Sequence, residues 1–492
     1  MISRLASPPP RSILTAGLIS IAAIAGAVTT MSEAVGLAFA ASALVFALIL
    51  NEAKITIYIL LIFGFSALPA QFPTWVPIGR FGFYFMELLI AIAFAWALSR
   101  PIGNDTRRIV ILLATLVTGG AVIGIANGAS IVRVVGDVRP IVFTILSVIV
   151  GAAIVQARML RPTLSIVKWL LWVSTGVTLI ASFSGIPLAG RTEAATLTIG
   201  DSNDATRYLT AATTLALVTA CSCAALYMLK MNPGRELLPF IVPSIVILLL
   251  AFSRTNILGI AVASLVALAA AVRLGTAIRG VGRAATTAIL VIGVSTAIAS
   301  SFSISANSDS WIGRQLGSYY ARVIDGLTPD TLDADSSTQY RVKENEELLD
   351  EVPSSPIIGH GFGYAYMAPS GPPGTFLHDR APWYAHNFHL WLLVKTGVLG
   401  LLIFLLATLV PIVKTLMRNY HPISIAFAST CASLLAVSFF APIPLGTVNG
   451  PAFGLLLGAM SAFRNIRCDT AATPTNTMGD KHQSRNQAPI TR

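Results

Sequence analysis

Residues 385–400 read AHNFHLWLLVKTGVLG, and this stretch decides the fold. His386 and Asn387 stand just outside an apolar run long enough to cross a bilayer. His386 and His389 are spaced so that a helix starting here carries both imidazoles on one face at its mouth. The polar segment 302–387 feeds into that mouth, and most of the remaining chain is apolar. Titratable nitrogen is therefore expected at the boundary between water and lipid, next to whatever the polar segment holds.

The chain has 492 residues, of which 55% are hydrophobic and 11% charged, and its mean hydropathy is +0.75. Soluble domains carry about 25% charged residues. Apolar runs recur along the whole length, so the expected fold is an all-α polytopic membrane protein. The runs predict spans at 13–30, 34–50, 55–70, 83–99, 109–126, 140–157, 167–186, 208–229, 237–252, 255–272, 284–301, 388–409, 423–441 and 452–464. That is about 12–14 transmembrane helices, with one large extracytoplasmic loop between the eleventh and twelfth. The first run lacks a small-residue cleavage site and reads as a span, not a secretion signal. Cys221, Cys223, Cys431 and Cys468 fall in spans or in the tail, so the loop has no disulfide frame.

A net charge of +11 would suggest nucleic acid for a soluble chain. Here the positive-inside rule accounts for it, and no nucleic acid is expected as a partner. With the N-terminus in the cytoplasm, every cytoplasmic segment carries Lys or Arg, from Arg4 and Arg11 through Arg107 and Arg108 to Lys414 and Arg418. The expected organisation is N-terminal transmembrane helices over 1–301, an extracytoplasmic (periplasmic) loop over 302–387, C-terminal transmembrane helices over 388–464 and a disordered cytoplasmic tail over 465–492.

The outer side breaks the charge rule. Its cations are Arg80, Arg133, Arg139, Arg191, Arg207, Arg254, Arg314, Arg322, Arg341, Lys343 and Arg380, and all but one are arginine. A guanidinium grips phosphate or carboxylate through a planar fork, so the set points to an anionic ligand at the outer boundary. Pairing with outer acids such as Asp137, Glu193, Asp201 and Asp204 is the alternative for each arginine taken singly. Arg254 sits in AFSRTNILG, a short turn between two apolar runs. A charge that close to hydrocarbon costs roughly 2.5–3.5 kcal/mol unless it snorkels or pairs. Glu87 and Lys395 lie within spans and either pair with each other or line a conduit.

The loop has internal order. Residues 338–351 read as a helix stopped by Pro353, with Arg341, Asn345 and Leu348 on one face. The run PIIGHGFG (356–363) reads as a plain turn or as a nest of backbone amides for an anion. The Pro- and Gly-rich segment 368–383 reads as a stiff irregular flap. Tyr340, Tyr364, Trp383 and Tyr384 supply aromatic faces on which sugars stack, as loop cores also do. Acids outnumber cations in the loop, so any anion it holds must meet a few chosen arginines. His378, His386 and His389 have a spacing compatible with zinc, but no Cys or acidic ligand is in register.

These pieces, in this order, resemble the O-antigen ligase and polymerase family of bacterial membrane glycosyltransferases. The matching elements are Ser253-Arg254-Thr255 at an outer turn, Arg341 on a loop helix, the run Pro356–Gly363, and His386-Asn387 followed by Leu390, Gly397 and Gly400. The flap length and the acid-rich loop helix depart from the family pattern. The resemblance implies a glycan donor on undecaprenyl diphosphate at the outer face of the bacterial inner membrane, and an acceptor hydroxyl on lipid A–core or on a lipid-linked repeat unit. It also implies inversion at the anomeric carbon, neither metal nor nucleotide cofactor, and possible partners in a polysaccharide export system. A leaving diphosphate needs its charge stabilised, which assigns arginines in the order Arg254, Arg341, then Arg314, Arg191 and Arg207. A hydroxyl nucleophile needs a base or an orienting acceptor, which assigns His386, with Asn387, His389 and Gly361 on the substrate side. The alternative is a multispan transporter of an anionic solute or lipid-linked sugar, with Glu87 and Lys395 coupling its movement; a third reading is a non-catalytic scaffold.

Overall fold

The computed structural model describes residues 53–72, 74–78, 81–194, 205–229, 234–273, 282, 311–319, 323, 336–418 and 421–470. The expected spans at 13–30, 34–50 and 284–301, Arg80 and Arg322, and much of the first half of the loop lie outside them. Within them the chain is predominantly helical: α1 (Ala53–Phe65), α2 (Phe85–Ala97), α3 (Asn104–Ala126), α4 (Ile131–Gln156), α5 (Leu160–Ser184), α6 (Ala211–Leu229), α7 (Gly234–Leu250), α8 (Arg254–Arg273), α9 (Trp311–Tyr319), α10 (Ser336–Glu351), α11 (Phe376–Asp379), α12 (Phe388–Met417), α13 (Pro422–Val437) and α14 (Asn449–Thr470). Two antiparallel ribbons interrupt them, β1 (Trp75–Ile78) with β2 (Phe81–Tyr84), and β3 (Arg191–Ala194) with β4 (Thr206–Leu209). Every expected span that falls on described residues meets a helix there. Six of these, α3, α4, α5, α6, α8 and α12, are long and apolar enough to cross a membrane. The chain is an integral membrane protein.

The tightest helix pair is built from glycine. On α14, Gly450, Gly454 and Gly458 recur every fourth residue and so form one smooth stripe. A Cβ at Gly454 would collide with the Thr144 carbonyl, one at Gly458 with the Val148 carbonyl, and one at Gly151 of α4 with the Leu455 carbonyl. The two backbones therefore touch, and van der Waals contact replaces the hydrophobic drive that lipid removes.

α4 starts well before the expected 140. The segment 131–139 reads as loop because it carries Arg133, Asp137 and Arg139 ahead of Pro140, yet it is helical because those charges are matched. Arg139 clasps Glu87 of α2, its Nε donating to Oε1 at 2.6 Å. Asp137, only 8% exposed, takes the Lys395 ammonium of α12 at 2.7 Å, and Lys395 is fully buried. The expected Glu87–Lys395 pair does not form: each group pairs with α4 instead.

The chief departure from expectation is at PIIGHGFG. Pro356–Ile358 form an exposed turn, as one reading expected, but Gly359–Gly363 fold back between α3 and α12. Gly397 interrupts α12 with φ +64°, breaking its hydrogen-bond ladder. The loop fills the break: His360 N–H donates to the Val394 carbonyl at 3.0 Å and Gly361 N–H to the Lys395 carbonyl at 2.7 Å. In return Val398 N–H donates to Pro356 O and Leu399 N–H to Ile357 O. On the other side Phe362 N–H donates to Gly120 O of α3 at 2.9 Å, and Gly363 N–H donates to Asp137 at 2.7 Å. Gly397 lies about 14 Å along α12 from Phe388, close to half the roughly 30 Å hydrocarbon core. Irregular backbone survives at such depth only when its polar groups are met by protein, as here. Phe362, fully buried, wedges against Gly120 and stacks on Trp391 at 5.8 Å.

Candidate functional site

The folded-back loop brings the mouth of α12 against α10. Asn387 caps α12, its side-chain oxygen accepting from Leu390 N–H at 3.2 Å. This fixes His386 as the last residue outside the helix. There the His386 main-chain N–H donates to Glu344 Oε2 at 2.8 Å, and ring Nδ1 lies 3.2 Å from both carboxylate oxygens. Glu344 is completely buried, whereas the His386 side chain is 26% exposed. The rings of Tyr340 and Tyr384 stand edge-on to the imidazole, at 6.1 and 5.5 Å. Nδ1 is thus engaged from the α10 side, and among the described residues Nε2 makes no hydrogen bond.

Positive charge converges on the same place. Burial, and then the Glu344 charge, push the Tyr384 phenol up to about 12; the Arg341, Arg191 and Arg380 guanidiniums act in the opposite sense. Three arginines from three segments therefore share the surroundings of the ring beside His386. Burial and the Glu344 charge likewise push Tyr340 up to about 12, so both phenols remain proton donors at neutral pH. Neutral phenols and guanidiniums can hold an anion and a sugar together.

The β3–β4 ribbon extends this field. Arg191 is paired with Leu209, and Glu193 with Arg207. Arg191 and Arg207 are therefore diagonal neighbours on one face, about 7–8 Å apart. Arg207 Nε donates to the Ala251 carbonyl at 2.9 Å, tying the ribbon to the turn that presents Arg254. That turn is strained: buried Phe252 takes φ +42°, a conformation uncommon for a bulky side chain. Arg254 opens α8 directly after it. α9 docks beside α5 through Trp311, which stacks on Phe183 at 3.9 Å and donates to Ser182 O at 3.1 Å; Arg314, one turn on, is exposed.

The structure thus joins His386 with Glu344 of α10, brings Arg341 and Arg191 within electrostatic reach of neighbouring Tyr384, and links Arg207 to the Arg254 turn. Other expected site residues have structural occupations. Asn387 is the helix cap. His389 points elsewhere, its Nε2 3.0 Å from the Leu435 carbonyl of α13. Gly361 sits against α3 at φ +88°, where a Cβ would overlap Gly124 backbone. The three histidines spaced for zinc meet separate partners, His378 bonding Asp379 at 2.8 Å, and the described residues contain no cluster of metal-ligating side chains. Glu344 and Arg380 are what the sequence reading missed. Glu344 lies three residues after Arg341 on α10, and that spacing was its one signal.

Helices long and apolar enough to cross a membrane, with a loop folded back among them, define an integral membrane protein. Residues 239–405 match the family model described as O-antigen ligase, so this part of the chain is similar to that family. The match begins in α7 and ends in α12, so it contains Arg254, α10 and His386. No curated protein matches the chain.

Proposed function

We propose that the protein transfers an undecaprenyl diphosphate-linked glycan to a sugar hydroxyl at the outer face of the bacterial inner membrane, with inversion and without metal. His386 Nε2 takes the proton of the acceptor hydroxyl as that oxygen bonds to the anomeric carbon. The bond from that carbon to the diphosphate breaks, and the polyprenyl diphosphate leaves with the electron pair. Arg341 on α10, Arg191 and Arg207 on the ribbon, and Arg254 at the start of α8 offset its charge. Each charge-assisted contact is worth about 1.5–3 kcal/mol. The acceptor is lipid A–core for a ligase or a second lipid-linked repeat unit for a polymerase. The observation that carries this reading is the imidazole held at the mouth of α12 by the buried Glu344 of α10, which follows Arg341 on the same helix.

The test is reconstitution in lipid with undecaprenyl diphosphate-linked glycan and a sugar acceptor. Transfer that disappears in His386→Ala and Arg341→Ala, at unchanged protein abundance, supports it. Undiminished transfer by His386→Ala removes the imidazole from the mechanism. Labelling of Asp350→Cys by an impermeant thiol reagent from the periplasmic side checks the orientation.

A further inference from the structure

We infer that Glu344 is a positioning residue that sets which nitrogen of His386 does the work. This inference rests on the reading of His386 as the base. A carboxylate with no exposed surface is costly unless donors surround it. Glu344 receives the His386 main-chain N–H at 2.8 Å and faces the His386 ring at 3.2 Å. The Tyr366 phenol gives its one proton to the Tyr384 carbonyl at 2.7 Å. The main-chain amide therefore holds the carboxylate independently of the imidazole.

An ionised carboxylate only accepts, so the neutral ring must carry its proton on Nδ1. The lone pair then lies on Nε2, the nitrogen free to receive a hydroxyl proton. When that proton arrives, the ring becomes an imidazolium facing a negative charge. Glu344 gains no proton; it orients the ring and compensates its charge. α10 thus carries two parts of one device, Arg341 for the phosphate and Glu344 for the base.

The geometry makes a sharp case of Glu344→Gln. The main-chain N–H cannot turn, so it must keep the amide oxygen as its acceptor. The amide NH₂ takes the place of the other oxygen, and because Nδ1 lies 3.2 Å from both positions it then meets a donor as well as an acceptor. The preference for the Nδ1 proton is lost, and the share of rings with a free lone pair on Nε2 falls with almost no change in shape. The experiment uses the full chain in lipid nanodiscs with ring-¹⁵N histidine, in mildly alkaline buffer, and assigns His386 by difference from His386→Gln. The unaltered protein is expected to show the proton on Nδ1, and Glu344→Gln to show an increased share of it on Nε2. With lipid-linked glycan extracted from the source cells, Glu344→Gln is expected to lower kcat about 10²–10⁴-fold at unchanged KM, and Glu344→Asp to recover part of the loss. An unaltered protein with the proton on Nε2, or a Glu344→Gln protein that keeps both the Nδ1 proton and kcat, overturns the inference. A loss of kcat accompanied by the original tautomer assigns Glu344 a structural role only and also overturns it. Full activity in His386→Ala defeats the base assignment and leaves the tautomer result readable by itself.

Discussion

Lys395 is the place where a single change tests the architecture. Its ammonium has no exposed surface and donates to Asp137 Oδ2 at 2.7 Å and to the Tyr364 carbonyl at 2.5 Å. Asp137 in turn receives Gly363 N–H at 2.7 Å. One ion pair thus joins α4, α12 and the folded-back loop. In Lys395→Met the carboxylate keeps only the Gly363 amide and the Tyr364 carbonyl loses its donor. Removing one partner of a buried pair costs about 3–5 kcal/mol. In Asp137→Asn/Lys395→Met no uncompensated charge is left, and the remaining loss is the Tyr364 carbonyl's desolvation, about 1–3 kcal/mol. The double variant should therefore be more stable than Lys395→Met alone, a non-additivity that a double-mutant cycle reads directly. The assay is unfolding of purified protein in detergent, followed by tryptophan fluorescence, since Trp391 lies 5.4 Å from the ammonium. Amide hydrogen exchange over 356–364 should rise in the single variant. A Lys395→Met protein as stable as the original, or a double variant no better than the single, would refute this reasoning.

Other changes read other parts of the molecule. Arg341→Ala and Arg254→Ala should each lower kcat/KM about 10- to 150-fold, equivalent to about 1.5–3 kcal/mol, in the reconstituted transfer assay. Phe362→Ala removes the wedge between α3 and α12 and should cost about 3–5 kcal/mol, measured by the same unfolding experiment. Gly458→Leu drives a side chain into the Val148 carbonyl and should abolish accumulation of folded protein, checked by size-exclusion chromatography in detergent, whereas Gly176→Leu, with open space at its Cβ position, should not.

Hydropathy located the helices because an apolar segment has few alternatives in lipid, and the helix at 338–351 announced itself through Pro353 and its periodic face. His386 and Arg341 stood out as candidates because their residue types suit few other purposes beside an apolar run. Glu344 did not, since RVKENEELLDE reads as a solvated acidic face and the spacing from Arg341 does not tell a buried carboxylate from an exposed one. The partners of Lys395 and Glu87 were equally hidden: they sit far away in sequence, on a part of α4 whose charges disguise it as loop. Asn387 and Gly361 have structural occupations that their sequence did not reveal, because capping and close backbone approach favour the same residue types as binding. The fold-back of PIIGHGFG depends on the break at Gly397, and a lone glycine in an apolar run does not announce which way its carbonyls will be answered.

The exchange of hydrogen bonds between 356–362 and the interrupted helix makes these two pieces one unit of inheritance. A hybrid that takes its external segment from one relative and its downstream helix from another would have to splice through a shared ladder of amides and carbonyls. Swaps meant to alter which sugars are handled should therefore carry 336–400 across as a single cassette, with its seam at the start of α10 and in the regular helical turns beyond Gly400.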